Sequence, residues 1–248
     1  MINIKTDAEI KLMREANLIV RDLLKYIEEF IKPGVSTFEL DKLSYEFITS
    51  RGAKPSFLGY EGFPASICAS VDDVVVHGIP NKKIILEEGQ IIGVDVGATI
   101  HGFHGDAART FAVGKISPAK QKLVDVTREC FFKGISILKD GVRLGDLGHA
   151  IQQHAESNGY SVVRELVGHG IGRHMHEDPS VPNYGTAGHG LKLKRNMTIA
   201  IEPMINMGKR DIMMDDDGWT IRTRDGLPSA HYENTVLITE NGVEILTL

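Results

Sequence analysis

Cysteine is scarce in this chain: Cys68 and Cys130 are the only two in 248 residues, they are far apart, and they form no CxxC pair. That scarcity excludes a zinc ribbon and a disulfide framework, and it fits a reducing compartment. An excess of one charge is also missing. Lys and Arg number 28 against 33 Asp and Glu, well mixed along the chain, so no basic stripe marks a nucleic-acid surface and no acidic tail marks a solvating region. No stretch approaches the roughly twenty apolar residues needed to span a bilayer. The opening residues MINIKTDAEIKLMREAN are charged and amphipathic and hold no apolar signal core. Linkers and low-complexity segments are lacking too. The expectation is a soluble, cytoplasmic protein with no membrane or nucleic-acid partner.

What is present is a duplication. Lys32, Gly34, Val35, Leu40, Ser50 and Gly52 return as Lys139, Gly141, Val142, Leu147, Ser157 and Gly159, all at an offset of 107 residues. At the same offset LEEGQIIGVD (Leu86 to Asp95) aligns with LKRNMTIAIE (Leu193 to Glu202). A hydrophobic fraction of 42% supplies a substantial core, and the duplication favours one closed domain over residues 1–248, with pseudo-repeats of about 1–113 and 114–248. Thr6 to Glu9 and Ser36 to Glu39 form capping-box patterns, predicting a first helix that stops by Pro33-Gly34 and a second that ends before Gly52. Ser117-Pro118 opens a third helix to about Lys139, and a fourth follows Gly145 and ends at Gly159. Strand patterns cover Ile67 to His77, Ile91 to Val113, Thr198 to Ile205 and Trp219 to Leu246. Two such halves should pack as an α+β fold: one curved antiparallel sheet with two pairs of helices on its outer face.

The aligned strands end on carboxylates, Asp95 and Glu202, which an apolar strand has no structural reason to carry. With a turn at Ile100-His101, Asp95 and Asp106 fall opposite each other on neighbouring strands, their Cβ atoms about 5 Å apart. Such a pair repels unless one partner is protonated or cations lie between them; the bland alternative is an exposed strand face. Glu202, among the apolar residues of TIAIEPMI, would pay a large desolvation penalty if unpartnered. Glu233 in SAHYENTVLI lies on a strand that could pair with the Glu202 strand, or it marks a strand end. His169 stands between Gly168 and Gly170, which let the backbone approach closely, although a lone histidine is more often structural. Together four carboxylates and one imidazole match two hard-to-borderline divalent ions. Of the other histidines, His101 and His104 sit at or after the turn and His149, His154 and His189 lie on helix or loop surfaces, so none of these five is expected to be a ligand. Asp215-Asp216-Asp217 reads as a solvated acidic turn.

The set HGxP at His77 to Pro80, VDVG followed by HGDAARTF, HGIGRxxHE from His169, IEP at Glu202 and SAxxEnT at Glu233 resembles the type I methionine aminopeptidases of the M24 metallopeptidases over essentially the whole chain. The resemblance implies a duplicated pita-bread fold and removal of the initiator methionine from nascent polypeptides whose second residue is small. It implies metal ligation by Asp95, Asp106, His169, Glu202 and Glu233, with two divalent ions chosen among Co, Mn, Fe and Zn. Glu202 would carry the proton of the attacking water, His176 would stabilise the tetrahedral intermediate, and His77 would bond the substrate near the scissile amide. The substrate's α-amino group would bind a metal, limiting the reaction to chain ends. Without the resemblance, His77 caps a turn and His176 pairs with Glu177 or Asp178.

By the same resemblance Phe57, Tyr60, Phe63, Cys68, His77, Met175 and Trp219 wall a methionine pocket, where otherwise they would be plain core. Three positions depart from the family pattern: Phe63 where tyrosine is common, Met175 where phenylalanine is usual, and His231 where glutamine is frequent. The form expected is bacterial and minimal, without a zinc-finger extension or a long helical insert. It is expected to be a monomer, with the ribosome exit region as a further partner. The rivals are a proline-specific dipeptidase or aminopeptidase P, which carries an additional N-terminal domain, and a non-catalytic binding module.

Overall fold

In the computed structural model, which describes residues 2–248, four helices follow the capping signals. Thr6 caps α1 (Asp7–Glu28) and Ser36 caps α2 (Thr37–Ser50), each answered by its reciprocal glutamate, so orphan donors at each helix start are satisfied locally. Ser117 caps α3 (Pro118–Ile135), with Pro118 in its first turn. The Asp146 carboxylate accepts from the Arg143 amide ahead of α4 (Leu144–Ser157). Boundaries differ from expectation: α1 ends at Glu28, before Ile31 and Pro33-Gly34. Helix α3 stops at Ile135 rather than Lys139, and α4 begins before Gly145. Gly145 answers a packing demand, since a Cβ there would lie 2.3 Å from the Thr186 carbonyl oxygen.

The internal repeat is geometric. Helices α2 and α4 keep the 107-residue offset at both ends. Gly34 and Gly141, at φ 91° and 86°, donate to the carbonyls of Leu86 and Leu193, both at 2.8 Å. The Leu86 and Leu193 amides return bonds to Val35 and Val142, again both at 2.8 Å.

Strand Ile91–Ile100 pairs antiparallel with Phe103–Ala112 through the two-residue turn His101-Gly102, whose φ values of 54° and 76° suit a tight hairpin. The turn lies one residue later than the sequence predicts. Asp95 therefore pairs with Ala108, and Asp106 with Gly97. A two-residue change of register preserves which face a side chain occupies. The two aspartates stay on one face as diagonal neighbours rather than direct partners.

In the second half Thr198–Ile201 pairs with Asn234–Ile238, and Met204–Asn206 with Ser229–His231, in one continuing register that brackets Glu202 and Glu233. The Glu233 amide donates to the Ala108 carbonyl at 2.9 Å and Thr235 Oγ1 to the Asp106 carbonyl at 2.9 Å, joining the halves. The expected sheet is thus built as four hydrogen-bonded groups of strands, with breaks in the ladder where the glutamates leave it. Short strands at Gly168–Gly170, Glu177–Val181 and Ile212–Met214 have no clear signal in the sequence.

Helix α1 packs on the first-half strands so closely that a Cβ on Gly105 would come 2.9 Å from the backbone of Asn17. Each half has its own apolar core, around Leu23, Ile27, Leu40, Ile92 and Val94 in one and Leu123, Phe131, Leu147, Ile199 and Val236 in the other. A third cluster of Phe57, Phe63, Cys68, Phe103 and Met175 borders the site. No helix among the described residues is long and apolar enough to cross a membrane.

Candidate metal centre and active site

One cavity of about 160 Å³ is lined by Asp95, Asp106, His169, Glu202 and Glu233 together with Phe57, Tyr60, Glu61, Phe63, Cys68, His77, Met175, His176 and Trp219. Every residue singled out from the sequence for ligation, catalysis or the pocket is therefore in one place. His169 Nε2 stands 3.6 Å from Asp106 Oδ2 and 3.7 Å from Glu202 Oε1. Its Nδ1 donates to the Gly170 carbonyl at 2.8 Å, which leaves the Nε2 lone pair facing the carboxylates. The flanking glycines permit this placement. A Cβ on Gly168 would lie 2.3 Å from the Ala200 carbonyl oxygen, and one on Gly170 would lie 2.2 Å from that of Asp178.

The electrostatics of this cluster are unfavourable without cations. Burial pushes Asp95 up to about 7, and burial followed by neighbouring carboxylates holds Asp106, Glu202 and Glu233 well above the ordinary range. Burial also pushes His169 down to about 3, so its ring is neutral and able to ligate at physiological pH. Asp95 Oδ1, Asp106 Oδ1 and Glu233 Oε1 are buried with no hydrogen-bond partner among the described residues. Each such acceptor costs about 1–3 kcal/mol if left unsatisfied. Two groups of donors have ligand atoms within 4.8 Å of one another: Asp106, His169 and Glu233, and Asp95, His231 and Glu233. Oxygen-rich sets with an imidazole and orphaned lone pairs fit divalent cations.

Around the donors the cavity is apolar. The Trp219 ring meets Phe63 at 5.2 Å and His77 at 6.4 Å, both edge-on. Asp217 fixes the turn before it by accepting from the Trp219 and Thr220 amides, both at 2.8 Å, and Asp215 pairs with Arg222 at 2.7 Å, so the acidic run is a structural turn. His77 holds a left-handed φ of 58°, a strained conformation for a non-glycine residue. Its pKa is pushed down to about 4, first by burial. Tyr60 Oη lies 2.7 Å from His176 Nδ1, and the rings of His176 and His169 are 4.3 Å apart. With the phenol donating, His176 keeps its proton on Nε2 as a hydrogen-bond donor.

The chain matches Metallopeptidase family M24 over residues 11–240. It belongs to that family. It is 54% identical over 248 residues to the methionine aminopeptidase of Clostridium acetobutylicum, covering 100% of this chain and 99% of the relative. It is similar to the crystal structure of methionine aminopeptidase from Rickettsia prowazekii with a TM-score of 0.98 and 45% identity over 100% of both chains. Prolidase from Pyrococcus furiosus is also similar, with a TM-score of 0.81 and 25% identity, over 99% of this chain and 65% of that one. These likenesses establish the pita-bread fold and a metallo-aminopeptidase that uses divalent metal, which sets the binding-module alternative aside.

Within this M24 site several residues carry roles that sequence reasoning did not assign. The Arg109 guanidinium donates to the backbone carbonyls of Ala108 and Glu233 and to Asn234 Oδ1, and lies 4.3 Å over the Tyr232 ring. It locks the Asp106 strand to the Glu233 strand. Lys5 Nζ pairs with Glu177 at 2.7 Å, both side chains almost fully buried, and Glu177 also accepts from the His174 amide. The loop carrying Met175 and His176 is thereby anchored to the N-terminal segment. Arg109 lies inside the segment HGDAARTF, whereas Lys5 has no signal in the sequence because its partner is remote. These other histidines stay outside the cavity, with His101 beside Glu15, His154 beside Glu129 and a half-buried His104 bonded to Ser56.

Proposed function

We propose that the chain removes the N-terminal methionine from nascent polypeptides with a small second residue, as one catalytic domain over residues 1–248 acting in the cytoplasm as a monomer near the ribosome exit. The observation that carries this reading is the meeting of five metal-type donors with an apolar, Met- and aromatic-lined pocket in a single cavity. Asp95, Asp106, His169, Glu202 and Glu233 would hold two divalent ions, Co, Mn, Fe or Zn. When bound, the ions supply Lewis-acid polarisation of the carbonyl and lower the pKa of the attacking water.

The chain's own groups do the rest. Glu202 is a buried carboxyl whose proton affinity is raised by burial and by Glu233 and Asp95, which suits it to take the water's proton and pass it to the leaving amine. His176 Nε2 donates to the oxyanion that develops in the tetrahedral state, while Tyr60 steers the ring. His77, kept neutral by burial, bonds the substrate near the scissile amide without adding charge. Phe57, Tyr60, Phe63, Cys68, Met175 and Trp219 enclose the thioether, a soft group that favours sulfur and aromatic contacts.

The test is release of methionine from Met-Ala-Ser by chelated protein before and after Co(II) or Mn(II), beside Asp106→Ala. Metal-dependent release that Asp106→Ala abolishes is expected. Cleavage of Xaa-Pro peptides in its place would transfer the chain to the proline-specific branch.

A further inference from the structure

His231 belongs to the strand Ser229–His231, opposite Met204, and is 3% exposed. Its backbone is fixed from both sides by Thr110, which donates through Oγ1 to the His231 carbonyl and accepts from the His231 amide, both at 2.9 Å. The ring is therefore held where the strand directs it. Nε2 is buried without a hydrogen-bond partner, 3.7 Å from Glu233 Oε2 and 3.9 Å from Glu202 Oε2. Those distances exceed a hydrogen bond, and no other group among the described residues serves that nitrogen. They suit two donors separated by a shared cation: His231 falls with Asp95 and Glu233 in one cluster of ligand atoms, as His169 falls with Asp106 and Glu233 in the other.

We infer that His231 is a sixth protein ligand, coordinating through Nε2 the ion held by Asp95 and Glu233, so that each of the two ions receives one imidazole. The inference rests on the two-ion reading above. A neutral nitrogen donor in place of an unpaired acceptor leaves the charge balance of the carboxylates unchanged and satisfies the orphaned Nε2. It also shifts this site away from the hardest ions. Imidazole suits Zn, Cu, Fe and Ni, whereas an all-oxygen set suits Mg, Ca and Mn. The site containing Asp95 should therefore prefer Zn(II) or Fe(II) over Mn(II) more strongly than an oxygen-only site would.

The experiment is titration of the chelated, full-length, 15N-histidine-labelled protein with zinc, following ring nitrogen resonances. Coordination displaces the Nε2 resonance and fixes the tautomer. The expected result is displacement of both His169 and His231 by the end of two equivalents. If His169 moves and His231 does not, the inference fails while the metal centre stands; if neither moves, the metal reading itself fails. In parallel, His231→Gln keeps a polar side chain of similar reach without the imidazole. Its Kd for the more weakly held zinc ion should rise by at least about tenfold, the scale on which ligand-shell changes act, and its Kd for Mn(II) should rise less. Unchanged zinc affinity would overturn the inference. The wild-type resonances decide the matter even if the variant folds poorly.

Discussion

Replacing Lys5 by Met should both destabilise the fold and slow the reaction, although Lys5 lines no part of the active cavity. Lys5 Nζ and Glu177 Oε2 are 2.7 Å apart, with side chains 5% and 4% exposed. Burial raises the Glu177 pKa, but bonds from Lys5, Asn3 and the His174 amide outweigh it and hold the carboxyl below its ordinary range. Removing one partner of a buried pair costs about 3–5 kcal/mol because the other charge is stranded. The surviving bonds from Asn3 and His174 put this case at the lower end, about 3 kcal/mol. At about 2–4 °C per kcal/mol for a chain of this size, Tm should fall by about 6–12 °C. The sign with pH follows from the depressed carboxyl: its stabilisation is present above the unfolded pKa and is lost as pH falls through the folded one, so the wild-type advantage should shrink below about pH 4. Glu177 directly follows His176, so well below Tm kcat should also fall, by up to about a hundredfold if the ring shifts by an ångström. Metal uptake should not change, since the donors lie on other strands. Denaturant unfolding of Lys5→Met, Glu177→Gln and the double variant closes the cycle. The double variant should recover most of the lost stability, because a paired replacement strands no charge. A loss below about 1 kcal/mol in Lys5→Met, or a double variant no better than the single, would refute the argument.

Trp219→Ala should raise KM and lower turnover on Met-peptides with stoichiometric metal uptake intact; unchanged kinetics would remove Trp219 from the pocket. Divalent metal should raise Tm, and the gap between loaded and chelated protein should widen from pH 6 to 8, because the raised carboxyls must lose protons to ligate and metal therefore competes better as pH rises. A gap constant with pH would contradict the raised values. Gly148→Ala should be severely destabilising, since the added Cβ would lie 2.2 Å from the Tyr184 carbonyl oxygen, whereas Gly134→Ala meets side-chain carbons of Leu147 at 2.7 Å and Ile151 at 2.8 Å rather than backbone and should cost less. Denaturant midpoints of the two variants rank them directly.

The parts of the fold legible in the sequence are those set by local physics. Thr6 with Glu9 and Ser36 with Glu39 announce helix starts because both halves of each capping box lie within one turn. Ends are less legible: the apolar period of α1 continues past Glu28 into residues packed by the core, so Ile31 extends the pattern without extending the helix. The sequence shows that Asp95 and Asp106 share a face but not that they are diagonal rather than opposite, because turn position sets register while side-chain alternation sets the face. Lys5 and Glu177 were illegible, since a pair 172 residues apart leaves no local trace.

The duplication explains why Glu202 could be reached from Asp95 by counting and Glu233 could not be reached from Asp106. The offset of 107 would carry Asp106 onto Met213, which sits exposed in the strand Ile212–Met214. In the first half a two-residue turn joins the carboxylate strands; in the second, residues 207–228 replace it and fold into a hairpin with Ile221–Thr223. Lengthening a connection costs little entropy once the strands it joins are paired, and the pairing is retained, with Ile201 opposite Asn234 and Met204 opposite His231. The insertion is held by the Arg222–Asp73 ion pair at 3.0 Å and delivers Trp219 to the cavity. The repeat is thus preserved where the buried carboxylates face one another and broken where an extra side chain enters the cavity. The second half's departure from the first is what makes the cavity of a symmetric frame asymmetric.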